Sequence, residues 1–241
     1  MENPDRIVNC NNVISFLKNL SNTEIAAHSQ RYFKTGKGEY GHGDKFLGIR
    51  VPVLRKAVKQ FQETPLIEIR KLLKSEYHEV RLFSLLLSVH QFSKGDAVKR
   101  EKIYKLYIRN TKYINNWDLV DSSAPYIVGV WLIDKDRTIL YELAHSNLLW
   151  ERRIAIMSTA YFINNDQFND TLKLSRILLN DSEDLIHKAV GWMLREVGNR
   201  DIGIEEKYLK KHYKKMPRTM LRYAIEKFSK ERRLAYLKGE I

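Results

Sequence analysis

The sequence predicts an all-α protein built as a superhelical array of stacked helical hairpins. Apolar residues recur at helical intervals along most of the chain, and no segment alternates strongly enough to require a strand. Five positions near the starts of apolar helical runs recur at steps of 36, 36, 35 and 34 residues: Arg81, Trp117, Arg153, Lys188 and Arg222. A period of this length is typical of one hairpin per repeat. Stacking places equivalent positions on one face, so we predict that they line a single concave basic groove.

Capping residues and prolines mark where several of the helices begin. Ser21 and Asn22 are suited to cap the second helix, and Pro52 and Pro65 suit the first turns of the third and fourth. The predicted helices cover about residues 13–20, 23–33, 52–60, 65–73, 77–93, 96–109, 117–133, 136–145, 148–163, 167–179, 183–198, 204–214, 217–229 and 231–238.

The charge balance of the chain favours a polyanionic partner. Its 241 residues include 42 Lys and Arg against 29 Asp and Glu, a formal net charge of +13. Nucleic acid is the simplest such partner, although a basic protein that is merely soluble has the same balance. No Gly-, Ser- or Pro-rich linker divides the chain, and a repeat array needs none. We therefore predict a single domain over residues 1–241 and an elongated monomer.

Several classes of protein are disfavoured. Cys10 is the only cysteine, so no intrachain disulfide and no cysteine-based metal site can form. The seven histidines are scattered, without the three- or four-residue spacing of a helical zinc site. No stretch approaches the roughly 20 apolar residues of a membrane span, and the N-terminus lacks the basic-then-apolar order of a secretion signal. We expect no metal, no cofactor, no membrane contact and a cytoplasmic location.

The glycine-rich loop 34–45 resembles nucleotide-binding motifs in spacing alone. Three of its glycines, from Gly36 to Gly41, have the spacing of a dinucleotide-binding fingerprint, but that motif follows a strand and this loop follows a helical pattern. Asp44 stands where a phosphate-binding loop needs lysine. We interpret the loop as a flexible interhelix turn. The alternative is that its backbone amides and Lys45 approach a phosphate.

The strongest constellation is Trp117 with Asp121, which lie four residues apart in an otherwise apolar run and therefore share a helix face. An ionised group in such a run is costly unless it is paired, so a functional role is favoured. The alternative is a core tryptophan beside a carboxylate that Ser122, Ser123 or a neighbouring arginine satisfies. Asp118 is displaced from the shared face and is expected to cap the helix or contact solvent.

Cations and a second tryptophan occupy related places one and two repeats onward. Arg153 holds the repeat position of Trp117 and suits bidentate contact with phosphate, or else it is a surface cation or a structural partner of the carboxylate. Lys188 and Trp192 repeat the four-residue spacing, with Arg195 nearly one turn further along. We predict one patch of aromatic faces, one carboxylate and several cations, a combination with which proteins hold nucleic acids.

A second basic surface is predicted on the third helix, where Arg55 and Lys59 share a face and Arg50 precedes them. A further basic run spans residues 207–222, for which a solvated helix face is the alternative. Trp131 lies on a long apolar run and is expected in the core.

At these residues the sequence resembles the DNA alkylation repair glycosylases of the AlkD family. Any one of the matching pieces is common, but the four in order are specific, and the repeat period extends the likeness to nearly the whole chain. The pieces are residues 46–52 with Arg55 and Lys59, then 117–125, 150–153 and 188–196.

The resemblance implies HEAT-like repeats and a monofunctional hydrolase of base excision repair, acting at the nucleoid. This family removes N3- and N7-alkylated purines from duplex DNA, and we expect no obligate protein partner. By position, Trp117, Asp121 and Trp192 match the catalytic cleft of the family, and Arg153 matches its essential arginine. The basic positions expected to contact DNA are Arg55, Lys59, Arg195, Lys188 and Arg50.

The chain departs from the family pattern at two places. Arg50 and Val51 stand where the archetype has a polar pair, and the glycine-rich loop before Phe46 looks like a subgroup feature. Two other functions stay open: a non-catalytic nucleic-acid-binding protein on the same scaffold, and a helical-repeat scaffold for an acidic protein partner.

Overall fold

The computed structural model describes residues 9–241, and within that range the chain is helical, with an isolated bridge between Lys45 and Tyr77 as its one β-type pairing. The predicted all-α class is therefore confirmed. The described residues form two compact units, one ending at Ser123 and one beginning at Ala124. The segment on which the absence of a secretion signal was predicted lies outside the described residues.

The first unit contains seven α-helices among its described residues, which begin close to where the caps and prolines predict. The side chain of Asn22 accepts a hydrogen bond from the Ile25 amide at 3.0 Å, and Pro52 lies in the first turn of its helix. The helices are α1 (Cys10–Asn19), α2 (Thr23–Tyr32), α3 (Val51–Gln60), α4 (Leu66–Leu73), α5 (His78–Lys94), α6 (Ala97–Ile108) and α7 (Trp117–Asp121).

Helix α5 is the central element of the first unit, because α3, α4, α6 and α7 all pack against it. It is buried along most of its length, with Phe83 and Leu87 fully buried, and its apolar residues are therefore not confined to one stripe. Its first turn also carries buried polar groups, His78 and Arg81, and these lie beside α7 and the loop before α3.

The second unit consists of two layers of helices. Helices α10, α12 and α14 pack one against the next, while α9 and α11 pack on α10, and α13 packs on α12. After a π-helical turn (Pro125–Gly129), the helices are α8 (Val130–Leu132), α9 (Thr138–Ala144), α10 (Leu149–Ile163), α11 (Asn169–Ile177), α12 (Asp184–Arg200), α13 (Ile202–His212), α14 (Arg218–Ala224) and α15 (Lys230–Lys238).

The repeat phase read from the sequence is confirmed in this unit. Arg153, Lys188 and Arg222 are each the fifth residue of α10, α12 and α14, three helices that pack in succession. Gly191 permits the close contact of α12 with α14, since a Cβ there would lie 2.4 Å from the Met220 carbonyl oxygen of α14. The close approach that glycine allows at this position is therefore to another backbone.

The prediction of one continuous helix over 117–133 is wrong. Helix α7 ends at Asp121, and the chain re-enters helical structure through the π-helical turn, which has Pro125 at its start. Proline has no amide hydrogen to continue an α-helix. The Ser122 and Ser123 hydroxyls also bond back to the Asp118 and Leu119 carbonyls at 2.6 and 2.5 Å, which competes with helix continuation.

Two further expectations need correction. Arg81 does not line a groove, because it is 4 % exposed and bonded within the first unit. Trp131 is half-buried rather than in the core, with the Lys135 Nζ 4.1 Å from the centre of its ring.

The concave groove and the single domain stay predictions. In the described part of the chain, no helix combines the length and apolar character that crossing a membrane requires.

Candidate functional site

Trp117 begins α7 and lies half-buried within an aromatic cluster. Its amide donates to the side-chain oxygen of the fully buried Asn116 at 2.8 Å, which fixes where the helix starts. Its indole stacks on Phe33 with ring centres 5.4 Å apart and meets the edge of Tyr32 at 6.1 Å. Phe33 in turn stacks on Phe46 at 5.2 Å. The end of α2 therefore covers part of the tryptophan.

Beneath this cluster, buried charges surround His78. Its Nε2 lies 2.7 Å from Asp118 and its Nδ1 lies 3.2 Å from Asp44, while Arg81 donates to Asp44 at 2.7 Å. The ring of His78 also stacks on Phe46 at 4.6 Å. Two cations and two carboxylates thus balance one another, and we call these four residues the His78 network: Asp44, His78, Arg81 and Asp118.

The network holds its histidine in the charged form. Burial alone would lower the pKa of His78, but the charge and hydrogen bond of Asp118, with the hydrogen bond of Asp44, outweigh burial and raise this pKa to about 9. Burial likewise would raise the pKa of Asp44, yet its bonds with His78 and Arg81 hold that pKa below its usual value. At neutral pH the network is therefore an imidazolium and a guanidinium between two carboxylates.

This network explains why loop 34–45 lies where it does. Asp44, at the end of the loop, is tied to α5, and Phe33 and Phe46 flank the loop within the aromatic cluster. Lys45, for which a phosphate contact was the alternative, forms an exposed ion pair with Glu76 at 2.6 Å.

Asp118 and Asp121 have different surroundings although both belong to α7. Asp118 bonds His78 and also accepts a hydrogen bond from the Leu119 amide at 2.9 Å. It was expected to cap the helix or contact solvent, and its main partner is the buried histidine. Asp121 is half-buried at the end of the helix, one turn from Trp117. Burial raises the pKa of Tyr107, and the charge of Asp121 adds to that rise.

Helix α3 presents the predicted basic surface. Arg50, Arg55 and Lys59 are all exposed. The buried Glu79 carboxylate positions the start of α3 because it accepts the amides of Leu47, Gly48 and Ile49 at 2.9, 2.8 and 3.2 Å. A cleft of about 610 Å³ lies beside this segment. Its lining includes Glu24, Phe33, Phe46, Arg50, His78 and Asp118.

In the second unit, Arg153 is buried in α10 at 4 % exposure, and its Nη1 donates to the Leu185 carbonyl at 2.5 Å. The preceding Arg152 binds Asp181 at 2.6 Å. Hydrogen bonds of this kind hold an arginine in a single orientation, with part of its donor set committed to the protein.

Helix α12 brings Lys188, Trp192 and Arg195 onto one stripe, at successive turns. Trp192 is half-buried and its Nε1 donates to Glu196 at 2.9 Å. Arg195 pairs with Glu196 at 3.3 Å and also with Glu226, and Lys188 pairs with Asp184 at 2.8 Å. The predicted cations of this stripe are therefore neutralised in part by neighbouring carboxylates.

The structure brings together Trp117 with Asp121 on α7, Lys188 with Trp192 and Arg195 on α12, and the basic residues of α3. Sequence reasoning missed the His78 network and the cover of Phe33 over Trp117. A signal existed in Asp44 at the end of the glycine-rich loop and in Asp118 beside the tryptophan, two acidic residues that a common cation can join. It could not be used because the histidine that joins them is far from both along the chain.

The fold and these residues define the class of the protein: an all-α helical-repeat protein with a strongly basic composition. The chain matches the family described as DNA alkylation repair enzyme over residues 13–228, so it belongs to that family. A solved structure described as a predicted DNA alkylation repair enzyme from Enterococcus faecalis superimposes with a TM-score of 0.69 at 19% identity, covering 87% of this chain and 97% of that one. No curated protein matches the sequence.

Membership of this family establishes a role in the enzymatic repair of alkylated DNA, with DNA as the substrate. At 19% identity the solved structure supports the fold alone.

Proposed function

We propose that the protein is a monofunctional DNA glycosylase of the AlkD type, which hydrolyses the N-glycosidic bond of N3- and N7-alkylated purines in duplex DNA. The observation that carries the proposal is the arrangement on α7, where Trp117 and Asp121 lie one turn apart. Asp118, the other carboxylate of this helix, is bound to His78. We assign the chemistry to Asp121 because it lies one turn from Trp117 and matches the catalytic cleft of the family by position.

These residue types suit the departure of a cationic base. An N3- or N7-alkylpurine carries positive charge and leaves as a neutral base, so the reaction needs little help from a general acid. The deoxyribose becomes oxocarbenium-like as the bond breaks, as in glycoside cleavage. A fixed carboxylate near C1′ stabilises that cation and can orient or deprotonate the attacking water, which are the roles we assign to Asp121.

The aromatic and basic residues would hold the substrate. The π faces of Trp117 and Trp192 favour a sugar cation. The exposed cations of α3 would bind phosphates, which gives position rather than sequence preference. Arg153 is as buried as Arg81, so its proposed phosphate contact requires its side chain to turn outward from the Leu185 carbonyl. The remaining expected phosphate contacts are Arg195 and Lys188.

The test is the release of free base from duplex DNA that carries N7-methylguanine. We expect release by the wild type and a loss of about 100-fold or more in the rate for Asp121→Asn, because a fixed electrostatic group contributes on that order. DNA affinity should change little. Asp134→Asn, which removes an exposed carboxylate of the second unit, is the matched control and should release base normally. Equal release by Asp121→Asn would remove the catalytic assignment.

The alternative of a non-catalytic DNA-binding protein is favoured by one feature, the open exposure of Arg55 and Lys59 on α3. It predicts affinity for duplex DNA that falls with salt, with a slope near −0.9 for each phosphate contact. Under that alternative, neither the wild type nor Asp121→Asn releases any base.

A further inference from the structure

Residues of α11 and α13, in the second unit, line a cleft of about 490 Å³. Four exposed cations surround it, Lys173 and Arg176 from α11 and Lys207 and Lys211 from α13. Each pair is three or four residues apart, so both cations of a helix lie on the same face. The remaining lining residues are Asn169, Leu172, Ile204, Tyr208 and His212, and hence no carboxylate of the described chain lines the cleft.

These cations differ from several others of the second unit, such as Arg152, Arg195 and Arg200, which pair with neighbouring carboxylates. Among residues 9–241, none of the four forms an ion pair, whereas Arg195 and Arg200 of the same unit both do. Like charges that share a face destabilise a helix. A bound anion would relieve this repulsion.

Tyr208, which lines the cleft, has a buried hydroxyl that points to the same kind of ligand. Tyr208 is 7 % exposed, and its Oη has no hydrogen-bond partner in the described structure. Burial raises the pKa of this phenol, so it keeps its proton and remains a donor. A buried donor without an acceptor costs free energy, and an acceptor oxygen supplied by a ligand would remove that cost.

His212 also lines the cleft, and its pKa is shifted by the positive charges around it. Its ring lies 4.5 Å from the ring of Tyr208. Burial, followed by the charges of Arg176, Lys211 and Lys215, lowers the pKa of His212. The histidine is therefore neutral at pH 7 and offers one ring N–H as a further donor without a charge of its own.

We propose that this cleft binds the diphosphate group of a small phosphorylated molecule, of the nucleoside diphosphate class. The volume falls within the range of small-molecule pockets, about 300–1,000 Å³. Four cations are more than enough to neutralise the diphosphate group of a nucleoside, and the Leu172 and Ile204 side chains offer apolar contact for the rest of the ligand. Because the hydroxyl of Tyr208 is buried, a ligand small enough to enter the cleft is favoured over a DNA duplex.

This inference goes beyond the proposed glycosylase and is independent of it. The residues assigned to DNA in the second unit lie on α10 and α12, whereas the cleft is formed by α11 and α13.

The first test is calorimetric titration of the full chain with ADP and with pyrophosphate. We compare the wild type with Lys207→Gln/Lys211→Gln and with a control of equal charge, Lys210→Gln/Lys214→Gln, whose lysines are exposed but do not line the cleft. We expect the wild type and the control to bind and the first variant to bind at least about tenfold more weakly, as expected for losing hydrogen bonds to a charged group. Failure of the wild type to bind either probe, or equal weakening by the control, would overturn the proposal.

A second variant tests the hydroxyl without disturbing the packing. Tyr208→Phe retains the ring and removes a group that has no partner in the free protein, so its Tm should equal or exceed that of the wild type. Its affinity for ADP should fall about tenfold. Unchanged affinity for ADP would overturn the role of Tyr208. If ADP does not bind and Lys207→Gln/Lys211→Gln instead weakens duplex DNA binding more than the control does, the cleft is a DNA contact and the proposal fails.

Discussion

Replacing Asp118 with asparagine tests whether the buried charges around His78 stabilise the fold. The substitution keeps the size of the side chain and an oxygen that can accept from the histidine, but it removes one negative charge. In the wild type, His78 and Arg81 are balanced by Asp44 and Asp118. The variant leaves one buried positive charge in excess, which is costly in a medium of low polarity.

The magnitude follows from the pKa of His78, which rises from 6.5 to about 9 on folding. At about 1.4 kcal/mol for each pH unit, this rise corresponds to about 3 kcal/mol of folding free energy. Because the folded pKa is the higher one, that stability is fully present below pH 6.5 and is lost as pH rises through 9. Asp44 remains in the variant, so we expect Asp118→Asn to lose about 2 kcal/mol at pH 7 and progressively less toward pH 10.

The assay is urea unfolding of both proteins at several values of pH between 6 and 10. The wild-type free energy of unfolding should fall across this range more steeply than that of Asp118→Asn, so the two curves converge. Asp134→Asn removes an exposed carboxylate and should run parallel to the wild type, within about 0.5 kcal/mol. Parallel curves for Asp118→Asn and the wild type would refute the account of the network.

Three other predictions concern separate parts of the chain. Burial raises the pKa of Glu205 to about 8 against the charges of two arginines. Stability is therefore lost as pH rises from 4.5 through 8, and at pH 9 Glu205→Gln should have the higher free energy of unfolding in urea, by up to about 5 kcal/mol. Gly191→Ala should lower Tm and cost about 1–3 kcal/mol of stability, because the new Cβ would lie 2.4 Å from a backbone oxygen of α14. In Gly203→Ala the new Cβ meets only one side-chain atom, at 3.3 Å, so the Tm of this control should be unchanged. Arg55→Gln and Lys59→Gln should each reduce the salt slope of duplex DNA binding by about 0.9 in fluorescence anisotropy, and unchanged slopes would contradict DNA contact by α3.

The His78 network also has a bearing on the proposed chemistry. It joins the loop before α3, the start of α5 and the start of α7, where Trp117 begins the helix that carries Asp121. Loss of the network should therefore disturb the placement of the tryptophan even though none of its four members is assigned to the reaction.

Much of the fold was predictable because its signals are local. Helical periodicity, the cap at Asn22 and the proline at the start of α3 depend on residues a few positions apart, and the structure bears them out. The repeat steps of 35 and 34 residues are also confirmed, since Arg153, Lys188 and Arg222 fall at the same place in three packed helices. The two steps of 36 residues are not, because Arg81 is the fourth residue of α5 and Trp117 is the first of α7. The break after Asp121 was missed because Ser122, Ser123 and Pro125, which end the helix, lie within a run of apolar residues that has helical periodicity.

The candidate site was predictable in its membership and not in its surroundings. Sequence alone placed Trp117 with Asp121 and Lys188 with Trp192, because four-residue spacing on a helix determines a shared face. Tertiary structure decided that Asp118 binds His78, 40 positions away, that Arg81 is buried against Asp44, and that Phe33 covers the indole. Such contacts join segments distant along the chain, and the burial that makes a charge pair or an unpartnered hydroxyl matter exists only once those segments have packed.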